Sequence, residues 1–202
     1  MKLLLATILS CFLIACNAQG KRTLQGDSEF QLEMNAKFKD ASTSPLTKKG
    51  LKKFSGLDFY PISEKFKVKA KLTKTPDAPE FKFPTTTKRV AEYKKYGEVF
   101  FTIDGKDLKL DIYKSKVTTR GYENHLFLPF LDNTSGNTSY GGGRFVDVYT
   151  TDEQPDGTIL IDFNKAYNPY CAYSDRYSCP ITPRSNYIAI KVEAGVMAYK
   201  KP

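Results

Sequence analysis

Histidine is nearly absent from this chain of 202 residues, and tryptophan is wholly absent. With His125 as its one histidine, the chain has no three-histidine metal centre. A metal set would have to combine Cys171, Cys179, His125 and a carboxylate such as Asp162. These are scattered, and the cysteines lack zinc-knuckle spacing, so no metal and no cofactor is expected. No Gly-x-Ser-x-Gly elbow exists for a hydrolase nucleophile. The run Gly141-Gly142-Gly143 is not followed by Gly-Lys-Ser/Thr, which excludes a phosphate-binding P-loop. It also lacks the spaced glycines of a dinucleotide fold. Acids are outnumbered, 22 against 31 lysines and arginines. Long apolar runs are missing as well: past residue 15 no segment is apolar enough to span a bilayer.

The one apolar run is N-terminal. Lys2 precedes Leu3 to Ala15, broken only mildly by Thr7 and Ser10. A spanning helix needs about 20 residues, so this run reads as a secretory h-region. It ends in Leu13-Ile14-Ala15-Cys16, which resembles the bacterial lipobox. That resemblance implies a diacylated Cys16 thiol, cleavage before Cys16 and acylation of the new amine. The plainer alternative is an ordinary signal peptide with a chance cysteine. Each buried acyl methylene contributes about 0.8 kcal/mol, and two chains make the anchor stable. The expected organisation is a signal peptide over 1–15, a lipidated cysteine and flexible tether over 16–26, and a single domain over 27–202. The expected partner is the lipid bilayer, through Cys16. Asn17 in place of an aspartate, and no acidic run over 17–26, favour the bacterial outer membrane, facing the periplasm.

Removing residues 1–15 takes away Lys2 and no acid, which leaves a formal charge of +8. An exported basic domain meets anionic headgroups and polysaccharides, and nucleic acid is not an expected partner. The simplest reading of the excess is a solvated lysine surface.

Ser28, with Gln31 at capping-box spacing and Phe30, Met34 and Phe38 four apart, predicts a helix that ends over Asp40–Pro45. Residues 46–60 offer Leu51, Phe54, Leu57 and Phe59 as anchors of a second short element. The period then changes to two. Phe66, Val68, Ala70 and Leu72 alternate with Lys65, Lys67, Lys69 and Lys71, as in a half-buried strand. Val99–Ile103 and Leu108–Tyr113 flank Asp104-Gly105-Lys106-Asp107, a strong hairpin signal. Further strands are expected at 126–131, 145–149 and 158–163, with a final pair, 187–194 and 196–199, around Gly195. The predicted fold is a mainly-β, single-domain antiparallel sandwich or barrel with one or two peripheral N-terminal helices.

Three polar clusters fall at strand ends. They are Asp132-Asn133-Thr134-Ser135-Gly136, Tyr140-Gly141-Gly142-Gly143-Arg144, and the tyrosine- and proline-rich stretch Asp162–Pro183. PFLDNTSG at 129–136, YGGGRF at 140–145, DFNKAYNPYCAYS at 162–174 and Cys179-Pro180 together resemble an uncharacterised bacterial family, domain of unknown function 1684. Asn186 and Glu193-Ala194-Gly195 extend the likeness. Thr182, Ser185 and Val196 depart from the family pattern, the last removing a carboxylate at that turn. The resemblance implies no established activity.

The residues themselves leave several readings open. Asp132, Tyr140, Arg144, Asp162, Asn164 and Asn168 are candidates to orient a small polar or anionic ligand, with Arg144 supplying a bidentate contact. The structural alternative is a tight glycine loop, with Arg144 paired to Asp132 or Asp162. Cys171 and Cys179 are expected to form a disulfide in an exported domain, worth roughly 2.5 kcal/mol for so short a loop. Similar sequences keep both cysteines without an export signal, which keeps free thiols and ligation open. A catalytic reading would use Cys171 with His125 as base and Asp162 or Asn168 as orienter. Paired carboxylates for glycoside hydrolysis would be Asp132 and Asp162. The expected function is a binding or structural accessory module, with a hydrolase or thiol-dependent enzyme centred on Cys171 as the alternative.

Overall fold

A computed structural model describes residues 26–117 and 119–200. The expected signal peptide, the lipidated Cys16 and nearly all of the tether lie outside the described residues.

Ser28 caps the first helix, α1 (Glu29–Lys39), its side chain accepting from the Gln31 amide at 3.3 Å. A second, α2 (Lys48–Lys53), is capped by Thr47. The strands are β1 (Lys67–Lys74), β2 (Glu80–Pro84), β3 (Val90–Ile103), β4 (Lys106–Ser115), β5 (His125–Asp132), β6 (Arg144–Tyr149), β7 (Thr158–Asp162) and β8 (Tyr187–Ile188). They form one eight-stranded sheet in the order β6-β5-β4-β3-β1-β7, with β2 added to β3 and β8 to β5. The pairs are antiparallel except the two-residue β5–β8 contact. The protein is therefore mainly β, a sheet curled into a half-barrel with few helices.

The alternation in β1 does what its period requires. Val68 and Ala70 are buried, while Lys67, Lys69 and Lys71 face water. Asp104 and Gly105 form the β3–β4 turn with φ of 50° and 71°, the two positive values a type I′ hairpin needs. Inside the curl, Val99, Leu110, Ile112, Leu126, Leu128 and Ile159 make a closed apolar core. On the outer face Phe83, Tyr113, Phe127 and Phe145 pack in a second cluster. A third joins Phe38 of α1 to Phe54, Leu57 and Tyr173, which ties the helices to the tyrosine-rich stretch.

The curl stops short of closing. The end strands β6 and β7 lie near each other but share no ladder; the backbone link falls just after β7, where Phe145 and Tyr167 exchange both hydrogen bonds at 2.9 Å. Beyond that bridge the two strands are not paired, and a seam lined by Asp147, Tyr149, Leu160 and Asp162 is left between them.

The expected C-terminal strand pair is a correction. Only Tyr187–Ile188 is strand; residues 189–200 run irregularly with no ladder beyond the single bridge of Val196 to Phe59. Their backbone groups are taken by scattered partners instead. Val196 donates to Ala166 at 2.8 Å, Met197 to Asp58 at 2.9 Å and Ala198 to Thr138 at 2.9 Å. β2 and the lysine-rich first half of β3 were not anticipated, because their apolar residues are few and lie among lysines and glutamates.

Gly195 has φ 74°, and a Cβ there would lie 2.4 Å from the Ala166 carbonyl oxygen. Gly157 has φ 78° but open space around it. Gly195→Ala is expected to cost about 3 kcal/mol or more and Gly157→Ala about 1 kcal/mol, read from urea unfolding midpoints.

Candidate functional site

The first two clusters are brought together by the antiparallel pairing of β5 with β6, which sets Asp132 and Arg144 at adjacent strand ends. Gly143 makes this approach possible. Its φ is 87°, and a Cβ would sit 2.6 Å from the Phe130 carbonyl oxygen. Arg144 and Asp132 then form an ion pair at 3.4 Å with both side chains at 0% exposure. The guanidinium also donates to the carbonyl of Val192 at 2.7 Å and to that of Ala194. Its face stacks on Phe130 and Tyr60, 5.0 and 5.6 Å from the ring centroids. Asp132 accepts from the Val192 amide at 2.7 Å and from the Thr134 hydroxyl at 2.9 Å.

The asparagines of the third cluster, and Asn186 just beyond it, likewise bond to the chain itself, although Asn168 Oδ1 has no partner among the described residues. Asn164 accepts from the Ser63 amide at 3.0 Å, donates back to its carbonyl at 2.9 Å, and donates to Asp162 at 2.8 Å. Asn168 donates to the Met197 carbonyl at 2.9 Å. Asn186 donates to the carbonyls of Asp111 and Pro129 at 2.9 and 2.7 Å. These side chains are buried. The clusters do converge, but on a buried clasp. Asp132, Arg144, Asn164 and Asn168 are closed to a ligand, and of the expected set only Tyr140 and Asp162 keep partial exposure.

Cys171 and Cys179 are free thiols, not the expected disulfide. They are adjacent all the same: the Cys171 amide donates to Cys179 Sγ at 3.2 Å. Tyr140 Oη lies 3.9 Å from Cys171 Sγ. The Cys179 thiol, then Tyr140, hold the half-buried Cys171 thiol down to about 6 against the penalty of burial. The hydrogen bond to Cys171 and burial push the Cys179 thiol up. Burial, then Cys171, raises Tyr140 to about 12. His125 is not the base of this group. Its Nε2 is 2.8 Å from Asp147 Oδ1, and Asp162 is engaged by Asn164.

Asp147 was not anticipated. In Arg144–Tyr149 it is the polar position of an apolar alternation and reads as a solvent face. The open seam changes its role. Tyr167 donates to the same Oδ1 at 2.7 Å, and Oδ2 has no hydrogen bond among the described residues. Burial, then the Asp147 carboxylate, hold the Tyr167 hydroxyl protonated well above its usual range. Asp147 lines two cavities. One, of about 390 Å³, is walled by Tyr122, Phe145, Tyr167, Tyr170 and Tyr177, with His125 and Cys179 also lining it. The other, of about 690 Å³, follows the seam between β6 and β7 and takes in Asp152, Asp162 and Lys165. Phe30 of α1 roofs both, and Lys37 reaches 5.3 Å from the centroid of the Tyr170 ring. This arrangement offers aromatic faces for stacking and one open carboxylate oxygen for a hydroxyl or an ammonium group.

The chain belongs to a family described as protein of unknown function DUF1684, whose model matches residues 52–197. The matched stretch contains the whole clasp, both cysteines and Asp147, but not α1. No curated protein matches. The chain is similar to an uncharacterised protein of Haloarcula marismortui solved in solution by NMR. The two share 31% identity over 83% of this chain and 89% of that one, with a TM-score of 0.66.

Removing one partner of a buried pair strands the other charge, which typically costs 3–5 kcal/mol. Arg144→Ala is expected to lose about that much stability in urea unfolding, whereas Asp147→Ala, on the surface, is expected to lose less than about 1 kcal/mol.

Proposed function

We propose that this chain is an envelope lipoprotein whose β domain binds a small polar organic ligand in the aromatic cleft beside Asp147. The observation that carries the site is the Asp147 carboxylate itself. It is oriented by His125 and Tyr167 on one oxygen, has no hydrogen bond to the other among the described residues, and lies among tyrosines. Cavities of this size with a few fixed polar groups are the usual form of a small-molecule site.

The chemistry argues for a neutral or cationic ligand over an anionic one. Arg144, the residue expected to hold an anion, is consumed by Asp132, Val192 and Ala194. Lys37 already places a cation over Tyr170, which supports a cation rather than an anion against such a ring face. The membrane half of the proposal rests on the Leu13-Ile14-Ala15-Cys16 motif and on the length of the apolar run before it. Among the described residues no helix is long and apolar enough to cross a membrane.

A hydrolase of the Cys-His type has less support. The histidine and the low-pKa cysteine have separate partners, Asp147 and Cys179.

Amide NMR titrations with N-acetylglucosamine and choline, as neutral and cationic probes, test the site. Shift changes are expected at Asp147, Tyr167 and Tyr170, with none at Asp132 or Arg144. Asp147→Ala is expected to weaken binding about tenfold, or about 1.4 kcal/mol. Shifts centred on the clasp, or no shifts in the cleft with either probe, would count against the reading.

A further inference from the structure

Cys171 and Cys179 are held beside each other by two different parts of the fold. Cys171 sits in a 3-10 turn, Tyr170–Ala172, that begins after Pro169. Cys179 is pinned to the far end of β2. Its carbonyl accepts from the Thr86 amide at 2.9 Å, its amide donates to the Thr86 hydroxyl at 3.1 Å, and Pro180 bridges Thr85. The intervening loop folds back on itself, with Tyr170 and Tyr177 at 5.1 Å between ring centroids.

The two sulfurs differ in access and in company. Cys171 is partly exposed, whereas Cys179 is 7% exposed. Cys179, Tyr140 Oη, the Cys171 amide and Thr86 meet Cys171 Sγ, and each can donate to a thiolate. This is the asymmetry that thiol–disulfide exchange uses: a more exposed residue with donors around its sulfur to attack, and a more buried one, at the wall of the aromatic cavity, within reach to resolve.

We propose that Cys171 and Cys179 form a reversible thiol–disulfide couple, with Cys171 as the attacking thiol, Cys179 as the resolving thiol and low-molecular-weight organic disulfides as the substrate class. The Cys171 thiolate attacks one sulfur of the disulfide RSSR, forms a mixed disulfide and expels RS⁻. Cys179 then loses its proton to solvent, and its thiolate attacks Cys171 Sγ and expels the second RS⁻. The protein loses two electrons and two protons, and RSSR becomes two RSH. The thiolate state favoured at Cys171 by its neighbours is consistent with this direction of attack. The couple does not rest on the cleft's binding role, since it requires only the two sulfurs and their hydrogen-bond donors.

The test uses the full chain equilibrated in glutathione buffers from fully reduced to fully oxidised. Acid quenching, differential alkylation and peptide mass spectrometry then read each cysteine separately. The expected result is a single dithiol-to-disulfide transition of Cys171 with Cys179 inside that range. In Cys179→Ser, glutathione is expected to remain bound to Cys171. In Cys171→Ser, Cys179 is expected to stay unmodified. Iodoacetamide should alkylate Cys171 at a rate that levels off above about pH 7, where an ordinary thiol still gains up to about 8.5. Tyr140→Phe should move that profile to higher pH while circular dichroism stays unchanged. A pair that remains a dithiol in the most oxidising buffer would overturn the proposal. So would a disulfide that persists in the most reducing one, as for a permanent staple, or first capture of glutathione by Cys179.

Discussion

Arg144 and Asp132 form an ion pair sealed from water, and a buried pair survives only if its remaining donors and acceptors are also used. The fold meets most of that demand by drawing in the C-terminal segment, with only Arg144 Nε of the guanidinium left without a partner among the described residues. Val192 donates its amide to Asp132 and gives its carbonyl to Arg144, which also holds Ala194. The segment that crosses the clasp has no ladder of its own, so the ion pair does for it what strand pairing does elsewhere. The asparagines repeat the device. Asn164 holds Ser63, Asn168 holds Met197 and Asn186 holds two strands together. Irregular backbone can be buried here because side-chain amides and one guanidinium satisfy it.

The consequence is a division of labour within the chain. The motif residues that attract the eye build the clasp, and the open chemistry lies next door, where the half-barrel fails to close. A sheet that curls without completing its ladder leaves a rim, and the rim between β6 and β7 carries Asp147 and Tyr167, which line both cavities. The DUF1684 family match spans both regions, and the Haloarcula marismortui structure is similar over most of both chains. The shared fold is therefore the part of the chain on which both regions stand.

Much of the fold was legible in the residues because the signals were local. Ser28 as a cap, the lysine alternation of β1 and the Asp104-Gly105 turn each depend on neighbours a few positions away. The C-terminal strands were misread for the same reason. An apolar alternation around Gly195 specifies burial, but only distant residues decide whether a strand or a side chain supplies the hydrogen bonds. Of the candidate site, the Arg144–Asp132 pairing was legible as an alternative to ligand binding, since a glycine run beside an arginine serves either. Asp147 was not, because one acid in an alternating strand looks like a solvated face until β6 is known to be a sheet end. The cysteines fall between: their proximity was foreseen, their bonded state was not what the structure holds.

The most direct test of the central role of the Asp132–Arg144 clasp is hydrogen exchange at the Val192 amide. A segment without ladder partners ordinarily exchanges by local opening, far faster than the core. If the ion pair holds it, Val192 should exchange as slowly as core amides such as Leu110 and Leu126, at the rate of global unfolding. Exchange at the rate of an exposed loop, with the β-sheet amides still protected, would contradict the account.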